Sequence, residues 1–185
     1  MNTVVTSRED ILEASRELIR RKGISALSIR SVAAACDVSV GSIYNYFDSK
    51  ADLISAAVES VWHEIFHRQG DSTAFGDTLA CIAWMYDRME DGSKRYPGFF
   101  TLHALGFMQE GKAGGKQQMA RVWRHIVDEL CVVLRSDAGV RPGAFTDHLT
   151  VERLADTILS LMVSAMMRGE YDPDAVLEIV HRVLY

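Results

Sequence analysis

Apolar residues recur along this chain at the three- and four-residue spacing of helices almost from end to end. Ile11, Ser15, Leu18 and Lys22, flanked by Leu12 and Ile19, form a one-sided stripe that predicts a helix over Arg8 to Lys22. Ser7 is placed to cap it with Asp10 as capping-box partner, and Gly23 to end it in left-handed backbone. A short second helix follows Ser28, with Ile29, Val32, Ala33 and Cys36 inward. After Asp37-Val38-Ser39 a third short helix is predicted from Val40 to Phe47, with Ile43 and Phe47 facing in and Gly41, Ser42, Tyr44 and Asn45 facing out. Ser49 and Asp52 form another capping box, opening a fourth helix over 49–68.

Beyond a boundary loop at Gly70-Asp71-Ser72-Thr73, five further helices are expected over 75–91, 97–110, 116–136, 147–168 and 173–184. The breaks fall at Asp91-Gly92-Ser93, Gly111 to Gly115, Ser136 to Gly143 and Gly169 to Asp172. Pro97 and Pro173 suit first helical turns, where a missing N–H costs nothing. No strand pattern or internal repeat is apparent. The expectation is an all-α chain of about nine helices: a helix-turn-helix domain over 1–53, then a larger helical domain over 54–185, the fourth helix linking them.

Two short helices joined by a tight turn, the second with a polar outer face, are the arrangement that enters a DNA major groove. The hydroxyls of Ser28, Ser39, Ser42, Tyr44 and Tyr46 and the ammonium of Lys50 are suited to phosphate oxygens. Asn45 suits adenine and Arg30 guanine, Val40 a thymine methyl, and Gly41 a close backbone approach. Charge adds little to this case. The net charge is −5, and residues 1–55 are neutral, with seven bases against seven acids.

The segment from Gly23 to Leu53, and within it Val38-Ser39-x-Gly41-x-Ile43-Tyr44-x-Tyr46-Phe47-x-Ser49-Lys50-x-x-Leu53, resembles the DNA-binding domain of the tetracycline-repressor (TetR) family. The resemblance covers roughly the first third of the chain. It implies phosphate contacts for Tyr44, Tyr46, Lys50, Ser28 and Ser42, and base reading for Arg30, Val40, Gly41 and Asn45. It also implies a homodimer, because half-sites about 34 Å apart need two reading heads. The last two helices are the candidates for that interface, through Leu154, Ile158, Leu161, Ala165, Val176, Ile179, Val180 and Val183. The alternative is that both helices fill the core of one chain.

A small-molecule effector is the second expected partner. Trp84, Met85, Phe99, Phe100, His103, Phe107, Met108, Met119, Trp123, Met162 and Met166 supply aromatic and methionine walls for a flat or greasy molecule, and serve equally well as ordinary core. His103, Tyr86 and His125 are polar candidates to orient it. The predicted function is a repressor released from operator DNA by a small apolar or aromatic ligand, with no cofactor and no enzymatic activity.

A competing motif is His63-Glu64-Ile65-Phe66-His67, which spells the His-Glu-x-x-His of zinc peptidases. It leaves open a zinc hydrolase, or a metal-responsive regulator with Cys81 or Asp71 completing the site. A hydrophobic content of 48% with 24% charged residues is that of an ordinary packed chain. The absence of a secretory leader, of a bilayer-length apolar run and of paired cysteines points to a cytoplasmic protein.

Overall fold

The computed structural model describes residues 6–66, 75–100 and 113–185, with backbone alone for 113–122. The described residues are helical and contain no strand. Helix α1 spans Arg8–Lys22. Ser7 caps it in a full capping box, its backbone N–H donating to Asp10 Oδ2 (2.8 Å) while Asp10 N donates to Ser7 Oγ (3.1 Å). Acids in the first turn and bases in the last follow the helix dipole. Ser15 is fully buried and satisfied by donating to the Ile11 carbonyl (2.7 Å), whereas Lys22, placed on the same stripe by its spacing, is exposed. Gly23 ends the helix at φ 77° and ψ 166°, a region glycine alone adopts readily, rather than in the left-handed helical conformation.

A 3-10 turn, Ile24–Ala26, leads to α2 (Ile29–Ala35), capped by Ser28. The turn to α3 (Val40–Tyr44) closes with Val38 N donating to Ala33 O (3.0 Å) and Asp37 N to Ala34 O (3.4 Å). This is a Schellman motif, and Asp37 occupies its left-handed position at φ 54° where glycine is usual. Helix α3 is shorter than its apolar spacing predicts: it ends at Tyr44, and Asn45 to Phe47 turn the chain toward α4 (Lys50–Phe66).

Helix α5 runs Thr78–Arg95, through Gly92 rather than stopping before it. A Cβ on Gly92 would lie 3.0–3.1 Å from the Ile65 side chain, so this glycine marks the close crossing of α4 and α5 and not a break. Pro97 sits in a turn, and most of the helix predicted over 97–110 falls outside the described residues. Helix α6 spans Ala113–Ser136, α7 Val151–Arg168 and α8 Asp174–Leu184. Pro173 stands just before α8, at its cap, not inside its first turn.

One hydrophobic cluster runs through the chain, from Ile11, Val32 and Ile43 at one end to Ile158, Val180 and Leu184 at the other. Helix α4 packs on α1, α5 and α6, which makes it the beam between the first three helices and the rest. No helix of the described residues is long and apolar enough to cross a membrane.

The C-terminal end of this assembly is stapled by Asp137, just past α6. Its carboxylate accepts from Thr78 N and Thr78 Oγ1 (both 2.8 Å), from the Tyr185 hydroxyl and, at Oδ1, from Gly139 N (2.9 Å). Burial works against the charged carboxylate, but these hydrogen bonds outweigh it and hold Asp137 below the usual carboxylate range. Partial burial, and then the bond to Asp137 and its charge, push the half-buried Tyr185 hydroxyl up to about 12. The staple's contribution to stability is therefore complete above the unfolded carboxyl value of about 3.9 and is lost as pH falls through the lower folded value. Asp137→Asn is expected to cost about 1–3 kcal/mol near pH 7 and to flatten the acid limb of the stability profile. Urea unfolding across pH checks both, and an unchanged midpoint at neutral pH would contradict the staple.

Candidate nucleic-acid interface

Helix α3 is anchored from beneath. Ile43 and Phe47 are 0% and 1% exposed, and the Arg8 guanidinium lies over the Phe47 ring (5.1 Å). With those two side chains fixed, the opposite face must point outward. Val40 is 41% exposed and Tyr44 50%, and Gly41, Asn45, Ser39, Arg30 and Lys50 are exposed beside them. The five helical residues span about 7.5 Å, short enough to enter a groove about 12 Å wide.

Several of these residues are poor choices for the fold by itself. Gly41 has no positive φ and sits in open space: a Cβ there would meet only Ser39 Oγ, at 3.6 Å. Alanine would fit and would favour the helix by about 1 kcal/mol. Lys50 opens α4 and Arg30 lies in the first turn of α2, both where the helix dipole disfavours a cation. Among the described residues neither forms an ion pair. A bare backbone and two cations at helix N-termini, each of them exposed, are suited to phosphate contacts.

The predicted hydroxyls divide into two groups. Ser28 and Ser39 are N-caps, accepting from Ser31 N and Ser42 N (both 3.1 Å). Ser39 and Ser42 share a hydrogen bond (2.9 Å), which uses one of their two protons and leaves the other for an outside acceptor. The Tyr44 hydroxyl is bonded to no described residue. Tyr46 differs: its hydroxyl donates its only proton to the Thr6 carbonyl (2.6 Å), bracing the segment before α1. Read from the sequence as a phosphate contact, Tyr46 is here a strut within the protein, because its proton is already committed.

In the body, Met85, Phe99, Phe100, Met162 and Met166 are buried, and Trp84 and Trp123 are half-buried. Trp62, buried on α4, joins them into a chain of rings: 5.9 Å from Phe99, 5.4 Å from Phe100, and stacked on Phe66 at 5.6 Å, which meets Trp84 edge-on. Tyr86 is buried, with burial raising its hydroxyl pKa, and His125 is exposed. His103, Phe107, Met108 and the side chain of Met119 lie outside the described residues.

The expected interface residues divide by exposure. Leu154, Ile158, Ala165, Val176 and Val180 are buried within the single chain, because α7 is clad by its own neighbours, chiefly α6. Leu161 and Val183 are half-buried, and Ile179, 54% exposed, stands clear.

The His-Glu-x-x-His segment also resolves differently. Glu64 accepts from Arg95 Nη1 (2.9 Å) and the Tyr96 hydroxyl (2.9 Å), with Arg16 Nε at 3.1 Å and Arg20 Nη2 at 3.8 Å. Burial opposes its charge, yet the Tyr96 and Arg95 hydrogen bonds and the Arg16 and Arg95 charges outweigh that and hold it below the usual glutamate range. A general base needs its carboxylate raised and free, so Glu64 is ill suited to that role. His63 is exposed and Cys81 buried, while His67 and Asp71 lie outside the described residues.

Residues 11–57 match the model for bacterial regulatory proteins of the tetR family. The HTH-type transcriptional regulator TtgR of Pseudomonas putida is 28% identical over 177 residues, covering 92% of this chain and 83% of TtgR. FadR of Bacillus subtilis, solved with stearoyl-CoA, shares the fold at a TM-score of 0.71 and 17% identity, over 97% of this chain and 100% of FadR. BioQ, solved with its double-stranded DNA operator, shares it at a TM-score of 0.59 and 18% identity, over 89% and 86%.

Gly41→Ala is expected to stabilise the protein slightly while weakening its binding to duplex DNA, measured by thermal melting and fluorescence anisotropy. Undiminished binding would remove the reason for the glycine. Tyr46→Phe is expected to raise hydrogen exchange in the first turn of α1 in the DNA-free protein; unchanged exchange would show the strut to be idle.

Residues 11–57 thus match the tetR family of bacterial regulatory proteins, and a relative spanning most of the chain and the shared all-helical fold carry that likeness through the rest.

Proposed function

We propose that this chain is a homodimeric repressor that reads a two-fold operator through α2 and α3 and lets go when a small apolar or aromatic molecule binds its body. Residues 1–53 act as the reading head and 54–185 as the ligand-binding and dimerisation domain, with α4 as the link. The observation that carries this reading is the exposed surface of Arg30, Gly41, Tyr44, Asn45 and Lys50, whose residue choices favour a bound polyanion over the isolated fold.

Roles follow from placement. Lys50, Tyr44 and the Ser39–Ser42 pair hold phosphates. Asn45 and Arg30 read base edges, and Val40 packs on a thymine methyl. Ser28 is a cap first: its hydroxyl also bonds Ser31 Oγ (2.9 Å), which itself donates to the Ala26 carbonyl (2.8 Å), so a phosphate has to compete for its proton. Ile179, with Leu161 and Val183 partly open beside the core, supports a seam on α7 and α8, narrower than the apolar spacing alone implies. The aromatic chain from Phe99 through Trp62 to Trp84 supports an effector that stacks on rings. Fold likeness to FadR, solved with an acyl-CoA, and to BioQ, solved with its operator, is in keeping with both halves of the reading. A regulator of this kind works in the cytoplasm, where its DNA is.

Selection of bound duplexes from a random pool tests the proposal. The wild type is expected to enrich a pseudo-palindrome. Asn45→Ala should lose about 1–3 kcal/mol on the selected site, and Lys50→Ala should weaken binding to all sequences and reduce the salt slope by about one. No enrichment would overturn the operator reading, and an unaltered slope would remove Lys50 from the phosphate contacts.

A further inference from the structure

The head meets the body through two kinds of contact. One is the continuous hydrophobic cluster shared by α1 and α4, which is non-directional and tolerates small rotations. The other is directional. Arg16 and Arg20, one turn apart on α1, reach out of the head to Glu64 on α4. Arg95, from the last turn of α5, and Tyr96, just beyond it, reach the same carboxylate from the body. Glu9 pairs with Arg16 (3.0 Å) and Glu17 with Arg20 (2.8 Å), so each head arginine is also held from its own helix. Glu64 is the carboxylate in this cluster that bonds to both sides; beside it the Arg20 guanidinium lies over the Tyr96 ring and Arg16 also donates to Ser60 Oγ on α4.

We infer that Glu64 is a positioning residue that fixes the angle of the reading head against the body. This rests on the dimeric, operator-binding reading above. Without its charge, Arg16 keeps Glu9 and Arg20 keeps Glu17 on their own helix, but no carboxylate ties them to Arg95, while the hydrophobic contact still keeps the head attached. Charge-assisted hydrogen bonds with set directions resist exactly the rotation that apolar packing permits. The body end of the clasp is not loose. Tyr96 is fully buried, its ring 6.1 Å from Phe99 and beneath the Arg20 guanidinium at 5.6 Å, and Phe99 meets Trp62. A molecule that shifts those rings therefore shifts the Tyr96 hydroxyl, and with it the carboxylate that both head arginines hold.

Head angle is read out as spacing. In a dimer, two firmly held heads accept one separation of half-sites and reject others. Full-length wild type, Glu64→Gln and Tyr96→Phe are titrated against duplexes carrying the selected half-sites with the spacer lengthened and shortened by single base pairs. The wild type is expected to show a sharp optimum. In E64Q the preference for that optimum over its neighbours should fall about tenfold, while discrimination between the selected half-site and a scrambled one stays as in wild type. Y96F, which keeps the ion pairs and loses one donor, should flatten the profile less, and it carries the test should E64Q fail to fold. A folded variant with loosened binding but the wild-type spacing profile would overturn the inference and leave the operator reading standing. A wild type indifferent to DNA sequence would overturn both.

Discussion

The seating of Ile43 and Phe47 in the core decides what this protein can do. With both side chains buried, α3 is fixed in rotation, and Gly41, Tyr44 and Asn45 have nowhere to point but outward. The Schellman turn at Asp37 sets the approach of α3 from α2, and the Ser39 cap sets where α3 begins. The Tyr46–Thr6 bond and the Arg8–Phe47 contact hold the far end of α3 against α1. Every proposed DNA contact depends on this small frame remaining rigid.

The residues that conflict with local preference lie on that frame's outer side. A glycine within a helix, two cations at helix N-termini and an aspartate in left-handed backbone each cost the fold a little. Elsewhere the chain obeys its local rules: α1 has acids at its start, bases at its end and a closed capping box. Such a contrast is what a surface shaped for an outside polyanion produces.

The head was largely legible in the sequence because its signals are local. Ser7 with Asp10 closes its capping box within one helical turn, and Ser49 caps α4 by accepting from Asp52 N, although the Asp52 carboxylate accepts from Asp48 N and not from Ser49. What sequence missed depends on distant partners. Gly92 reads as a helix break until Ile65 is seen packed on it. Tyr46 reads as a phosphate donor until Thr6 is seen to take its proton. Glu64 spells part of a zinc motif, and three arginines and a tyrosine from elements far apart in the chain give it a different part. Apolar spacing on α7 does not tell whether a partner or its own chain covers it; Leu154, Ile158 and Ala165 are buried within the single chain.

The central claim is that the surface of α2, α3 and the start of α4 lies against duplex DNA. Amide hydrogen exchange of the full-length protein, with and without a selected duplex at low ionic strength, tests it most directly. Protection is expected within residues 28–50, strongest at the N-terminal turns of α3 and α4, and fading as salt is raised. A duplex that binds yet leaves that segment unprotected, or shields the body instead, would contradict it.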